Sequence, residues 1–185
     1  MKIPAGPVAL PRTASLLAPV AVLLGCVALA ARPAGTIEGF AVTLGVGLIG
    51  ALAPLPPARD ARWGAGRWTG AAALGVGTFG LARFLERPLI PPARPAALAG
   101  VIVAAVAEEL FFRRLAYGWL ARGGALIAVV GAAVLFALVH VPVYGMGVLP
   151  LDFAAGLLFG WQRWATGGWT AAAVTHAAAN VLQLL

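Results

Sequence analysis

Chemically useful side chains are scarce in this sequence, and each scarcity closes off a class of function. There is one serine, Ser15, and one cysteine, Cys26, both in the first apolar stretch and neither next to a histidine. That excludes a hydroxyl or thiol nucleophile activated by an imidazole base. A lone cysteine also excludes an intramolecular disulfide, and Cys26 reads as a small helix- or lipid-facing residue. The single lysine, Lys2, stands at the N-terminus, so a buried lysine base or Schiff base is ruled out. Only 10% of the residues are charged, and no long polar segment is present to fold as an aqueous domain. The net charge is +7, but the arginines are not interleaved with aromatics on an exposed face, which argues against nucleic acid as a partner. Anionic headgroups of the lipid bilayer fit this charge better.

Apolar length is what the chain has in abundance. It is 62% hydrophobic, with a mean hydropathy of +0.95, the signature of an integral membrane protein. Seven segments approach the ~20 residues that a helix needs to cross a bilayer. They are Thr13–Ala31, Ile37–Leu55, Trp68–Leu85, Ala96–Leu120, Ala125–Val141, Leu151–Trp164 and Trp169–Leu185. The fold class is therefore all-α, a polytopic membrane helix bundle forming one compact domain. Pro56-Pro57, Pro91-Pro92, Gly123-Gly124 and a Gly/Pro loop from Pro142 to Pro150 punctuate it. The N-terminal stretch has some features of a signal peptide, but the spans that follow it favour an uncleaved first anchor. Placing the N-terminus in the cytoplasm puts Lys2, Arg12, Arg59, Arg62, Arg67, Arg114, Arg122 and Arg163 inside. Arg32, Arg83, Arg87 and Arg94 then fall outside. This asymmetry supports a multi-pass protein of the plasma (inner) membrane with its N-terminus inside.

Against that background the adjacent pair Glu108-Glu109 stands out, because ionisable groups at membrane depth are costly and usually serve a site. Other polar groups lie at similar depth on separate spans. At ~1.5 Å per residue, Glu108 lies roughly 18 Å from Leu120 and His140 roughly 22 Å from Ala125. On the same rise, His176 and Asn180 lie roughly 11 and 17 Å from Trp169. The chain's two histidines and its one asparagine thus reach the level of the carboxylates. A single membrane histidine often only hydrogen-bonds a carbonyl, and a single asparagine is commonly interhelical glue; their convergence is what argues for a site. Glu109 and Arg113 are four residues apart in the favourable order for an ion pair. Glu108 points about 100° away and is left for chemistry. Phe136, one turn before His140, is placed to wall the pocket. Phe111 and Phe112 read as lipid- or helix-facing bulk, and Arg114 as a snorkelling edge charge. Asp60 and Asp152 lie at membrane edges, too far apart for an aspartyl dyad. A cavity serving the polar cluster is expected to open on the inner side.

Glu108-Glu109-Leu-Phe-Phe-Arg113, Phe136-Ala-Leu-Val-His140 and His176-Ala-Ala-Ala-Asn180 resemble the ordered motifs of the CPBP family. These intramembrane proteases include type II CAAX prenyl endopeptidases and bacteriocin-processing or self-immunity proteins. Phe153-Ala-Ala-Gly-Leu-Leu-Phe-Gly-Trp161 and Thr166-Gly-Gly-Trp169 resemble its penultimate helix and the turn after it. The resemblance divides the chain into residues 1–95, without a recognised motif, and a protease-like core over 96–185. It implies hydrolysis of a peptide bond without a covalent enzyme intermediate. Glu108 would be the general base on a water shared with His140. His176 and Asn180 would stabilise the oxyanion, at ~3 kcal/mol per donor. Glu109 and Arg113 would support Glu108. Glu108, His140 and His176 would also supply the three protein ligands of a catalytic zinc, but the His-Glu-x-x-His motif of zinc proteases is absent, and a metal-free site fits these residues equally. The implied substrate is a lipidated or membrane-associated peptide or protein with CAAX-type C-terminal processing. The chain is shorter than the eukaryotic prenyl proteases and has no evident substrate-recognition domain, which leaves the substrate open. The competing readings are a non-catalytic scaffold or bacteriocin-immunity protein that keeps the polar cluster, and a small proton-coupled transporter. The transporter would carry an internal repeat with broken helices, and none is evident.

Overall fold

The computed structural model describes residues 12–54, 65–86 and 95–185. Every apolar segment found in the sequence becomes a helical rod, and there is no strand among the described residues. The elements are α1 (Arg12–Ala31), α2 (Ile37–Leu52), α3 (Ala65–Glu86) and α4 (Pro95–Glu109). α4 continues through a π-helical stretch, Leu110–Ala116, into the single turn α5 (Tyr117–Leu120). After these come α6 (Ala125–Tyr144), α7 (Leu149–Thr166) and α8 (Thr170–Leu184). Lys2, Arg59, Arg62, Arg87 and Arg94, used above for topology, and Asp60, set aside above with Asp152, lie outside the described residues.

Helix ends follow local chemistry. Thr36 caps α2, its Oγ1 accepting from the Gly39 N–H at 3.1 Å, which satisfies a donor that the first turn leaves open. At the other end of α2, Arg114 donates to the carbonyls of Gly50 and Ala53. Arg114 is therefore no free edge charge, as the sequence suggested; it is half-buried and closes a helix C-terminus, where a cation is favoured. The expected loop from Pro142 is also corrected. α6 runs through Pro142 to Tyr144 and stops at Gly145, whose φ of 89° few other residues accept. An in-helix proline withholds one N–H, which a packed membrane helix tolerates.

The rods alternate in direction, and close-approach glycines fix their register. A methyl group at Gly47 would strike Ala107, and one at Gly50 would overlap the backbone of Leu110 and Phe111, so α2 runs parallel to the α4 rod. Gly156 abuts Ala133 and Gly160 abuts Val129, so α7 runs antiparallel to α6. Such small-residue contacts are the usual means by which helices approach within a membrane. Trp68 Nε1 donates to Thr170 Oγ1 at 3.0 Å and Arg83 Nε to the Leu182 carbonyl at 2.8 Å, aligning α3 with α8. Between them Gln162 Nε2, fully buried, donates to the Ala71 carbonyl and to Thr175 Oγ1, both at 2.8 Å.

Among the described residues one helix, α6, is long and apolar enough by itself to cross a membrane, with mean hydropathy 2.5 over its best window. Leu17–Ala31 and Ile37–Leu52 are apolar but shorter. The α4 rod has the length but carries Glu108, Glu109, Arg113 and Arg114.

The glycine contacts are directly testable. Gly50→Ala is expected to destabilise the protein by ~1–3 kcal/mol through overpacking. Gly45→Ala, on the open face of α2 with nothing within 4 Å of the added methyl, is expected to be neutral or to stabilise by up to ~1 kcal/mol. Thermal unfolding of both variants in detergent measures the difference.

Candidate active site

The π-helical stretch begins immediately after the carboxylate pair, and such wide turns inside α-helices often mark functional sites. The Tyr117 N–H reaches the carbonyls of Phe112 and Arg114 and passes over that of Arg113. Arg163, from α7, donates its Nε to the Arg113 carbonyl at 3.1 Å and lies over the Tyr117 ring. A residue that the sequence treated as an inner-face charge thus serves a backbone group of the irregular turn.

Phe111 and Phe112 are fully buried; of the two alternatives left by the sequence, they face helices and not lipid. Phe112, Phe136 and Phe159 surround Arg113, which is itself fully buried. Its guanidinium lies 4.6 Å from the Phe136 ring centroid and 5.0 Å from that of Phe159, close enough for substantial cation–π attraction. Nη2 donates to the Gly156 carbonyl at 3.2 Å. Nε lies 3.1 Å from Glu109 Oε2, yet neither atom makes a directed hydrogen bond among the described residues. The pair is a close charge contact whose N–H is not aimed at the oxygen.

The other oxygen of Glu109 does more than the sequence assigned to it. Oε1 accepts from His176 Nδ1 at 2.9 Å, and the His176 ring stacks on Phe159, with centroids 5.0 Å apart. Glu109 is therefore an orienting partner for a histidine as well as a strut for Arg113. His140 is oriented separately, through Nδ1 to the Phe136 carbonyl at 2.7 Å. A carbonyl can only accept, so that nitrogen carries a proton, and in the neutral ring Nε2 then presents a lone pair. Both imidazoles then direct Nε2 at the same atom, Glu108 Oε2, which lies 3.8 Å from His140 and 3.9 Å from His176.

Two residues in this cluster were not foreseen. Arg32, counted as an outer boundary charge, donates Nη2 to Glu108 Oε1 at 3.2 Å. Asp152, set aside as an edge residue, places Oδ2 3.6 Å from His140 Nδ1. Both stand at the ends of apolar runs, so the sequence signal they carry is the same as that of any edge charge. Asn180 lies one turn beyond His176 on α8, partly buried, with no hydrogen bond among the described residues.

A cavity of about 220 Å³ reaches Glu108 and Arg32 and is walled by Gly35, Gly39, Gly100, Ala104 and Tyr144. It lies where α1 ends and α2 begins. The expected opening on the inner side, where α1 begins, is not the one seen: the cavity reaches Glu108 from the end where α1 stops. A larger cavity of about 340 Å³, lined by Leu17, Leu48, Leu52 and other apolar residues of α1 and α2, lacks any such chemistry. Among the described residues no three His, Cys, Asp or Glu side chains are grouped to hold a metal ion. Ligand atoms of a tetrahedral zinc with ~2.0–2.2 Å bonds stand ~3.3–3.6 Å apart. The wider spacing at Glu108 Oε2 suits a shared water, and Glu108, His140 and His176, the candidate ligands for a zinc, do not form a preformed ligand set.

Residues 90–182, half of the chain, match the family model described as type II CAAX prenyl endopeptidase Rce1-like. The chain belongs to this family. No curated protein and no solved structure matches it. Membership makes the chain a membrane protease of the CAAX type in kind, in agreement with the motif resemblance. The match runs from the approach to α4 almost to the end of α8, and so covers each residue of the cluster except Arg32.

The Glu109–Arg113 contact generates a stability prediction. Arg113→Ala strands a buried carboxylate and is expected to cost ~3–5 kcal/mol, whereas replacing both partners by apolar residues of similar size is expected to recover most of that loss. Denaturation of the two variants in detergent checks this.

Proposed function

We propose that the protein is an intramembrane endopeptidase. It hydrolyses a peptide bond with a water activated by Glu108 and His140, near the CAAX-type C-terminus of a lipidated or membrane-associated substrate. The observation that supports this most directly is the convergence of two Nε2 atoms on one oxygen of Glu108. His140 Nε2 and Glu108 Oε2 are both acceptors, so 3.8 Å between them calls for a molecule with two hydrogens to give. A water ~2.8 Å from each meets that need.

In the reaction, the water oxygen attacks the scissile carbonyl carbon while its proton passes to Glu108, which acts as general base. Negative charge develops on the carbonyl oxygen. His176, protonated and steadied by Glu109 in the way a triad carboxylate steadies its imidazole, donates from Nε2 to that oxygen, with Asn180 as the second donor. Glu108 then hands its proton to the leaving nitrogen as the C–N bond breaks. No step here runs through a metal.

We read the protein as a multi-pass plasma-membrane protein with its N-terminus in the cytoplasm, a reading supported by the arginine asymmetry of the sequence. On that orientation the cavity mouth at Gly35 faces outward.

The decisive experiment compares the purified protein with Glu108→Gln, using prenylated and unprenylated C-terminal CAAX peptides in liposomes. Loss of the general base is expected to lower kcat by ~10²–10⁴-fold with the variant still folded. Equal turnover by the two proteins would refute the assignment and favour a binding scaffold. An impermeant peptide added to sealed vesicles of known orientation reports the face on which the mouth lies.

A further inference from the structure

The three N-terminal helices carry no motif and lie outside the family match, yet one of their residues touches the proposed base. Arg32 closes α1 with only 9% of its surface exposed. It is anchored at both ends of its guanidinium: Nη1 donates to the Leu29 carbonyl at 3.3 Å, and Nη2 to Glu108 Oε1 at 3.2 Å. The terminal torsion of a glutamate is soft and roughly two-fold, so nothing intrinsic to Glu108 decides which oxygen faces the imidazoles. Arg32 decides it by taking Oε1, which leaves Oε2 between His140 and His176.

On the strength of the proposed hydrolase reading, we infer that Arg32 is a positioning residue for Glu108, fixing which carboxylate oxygen holds the water.

The plain alternative is that Arg32 merely ties α1 to the bundle. α1 is already tied: Val22 and Leu29 are buried in the main apolar cluster, and the Gly25 position packs directly on the Phe111 ring. A buried ion pair adds little to stability compared with such packing. The cavity borders both Arg32 and Glu108, so without the guanidinium the carboxylate is free to turn toward it. A lysine would keep the charge but not the two-point hold between Leu29 and Glu108.

The test measures kcat and KM for the full-length wild type, Arg32→Ala and Arg32→Lys with the CAAX peptide that the wild type cleaves. Arg32→Ala is expected to lose on the order of 100-fold in kcat, the effect of a misplaced reacting group, with KM unchanged. Arg32→Lys is expected to retain an intermediate kcat. Added guanidinium ion is expected to restore Arg32→Ala and to leave Glu108→Gln inactive. A wild-type kcat in Arg32→Ala, or a loss carried by KM alone, overturns the inference. Melting temperatures form the arm that needs no substrate. Arg32→Ala should lower the melting temperature in the native background but not in Glu108→Gln, whereas equal shifts in the two backgrounds overturn the contact. If the wild type cleaves no peptide, the hydrolase reading itself fails, and the melting-temperature arm still decides whether Arg32 holds Glu108.

Discussion

Two adjacent carboxylates are buried among apolar helices, and the arrangement is tolerable only because each is matched by a guanidinium from a different direction. Glu109 meets Arg113 along its own rod, while Glu108 meets Arg32 from α1. An uncompensated charge in such a place costs several kcal/mol, so the geometry of both arginines constrains everything packed around them. The aromatic enclosure of Arg113, the glycines that bring α2 and α7 close, and the π-helical turn that carries Arg113 all serve that constraint. Once each carboxylate has given one oxygen to its arginine, the remaining oxygens are available to histidines, Glu109 to orient His176 and Glu108 to face both rings.

Division of labour between the two halves of the chain follows. The part matched by the family supplies the carboxylates, both imidazoles and Asn180 on α4, α6 and α8. The N-terminal part supplies packing surface, the wall of the cavity around Gly35 and Gly39, and the cation on Glu108. An apolar bundle with so few polar groups can specify one site because a charge placed at depth is costly unless another polar group meets it there.

The same economy explains what could be read from the sequence. Rods were legible as apolar length between Gly, Pro and Arg punctuation. Glu108, Glu109, Arg113, His140 and His176 were legible because they are rare at depth. Arg32, Asp152 and Arg163 were not, since a charge at the end of an apolar run looks the same whether it meets solvent or reaches inward. Glu109 was under-read for a related reason: an i,i+4 partner on its own helix hid the second partner on α8. The π-helical turn left no trace because periodicity arguments assume 3.6 residues per turn throughout. Pro142 misled by suggesting a stop where the helix continues. The direction of the cavity depends on which helix ends fall level with Glu108, a tertiary property that charge counting does not contain.

Ordered solvent at this site tests the central claim most directly. A structure at a resolution that shows individual waters is expected to place one within ~2.7–3.2 Å of both Glu108 Oε2 and His140 Nε2, with His140 Nδ1 on the Phe136 carbonyl. Glu108 turned toward the acyl chains, or the two imidazoles directed away from its carboxylate, would contradict the account.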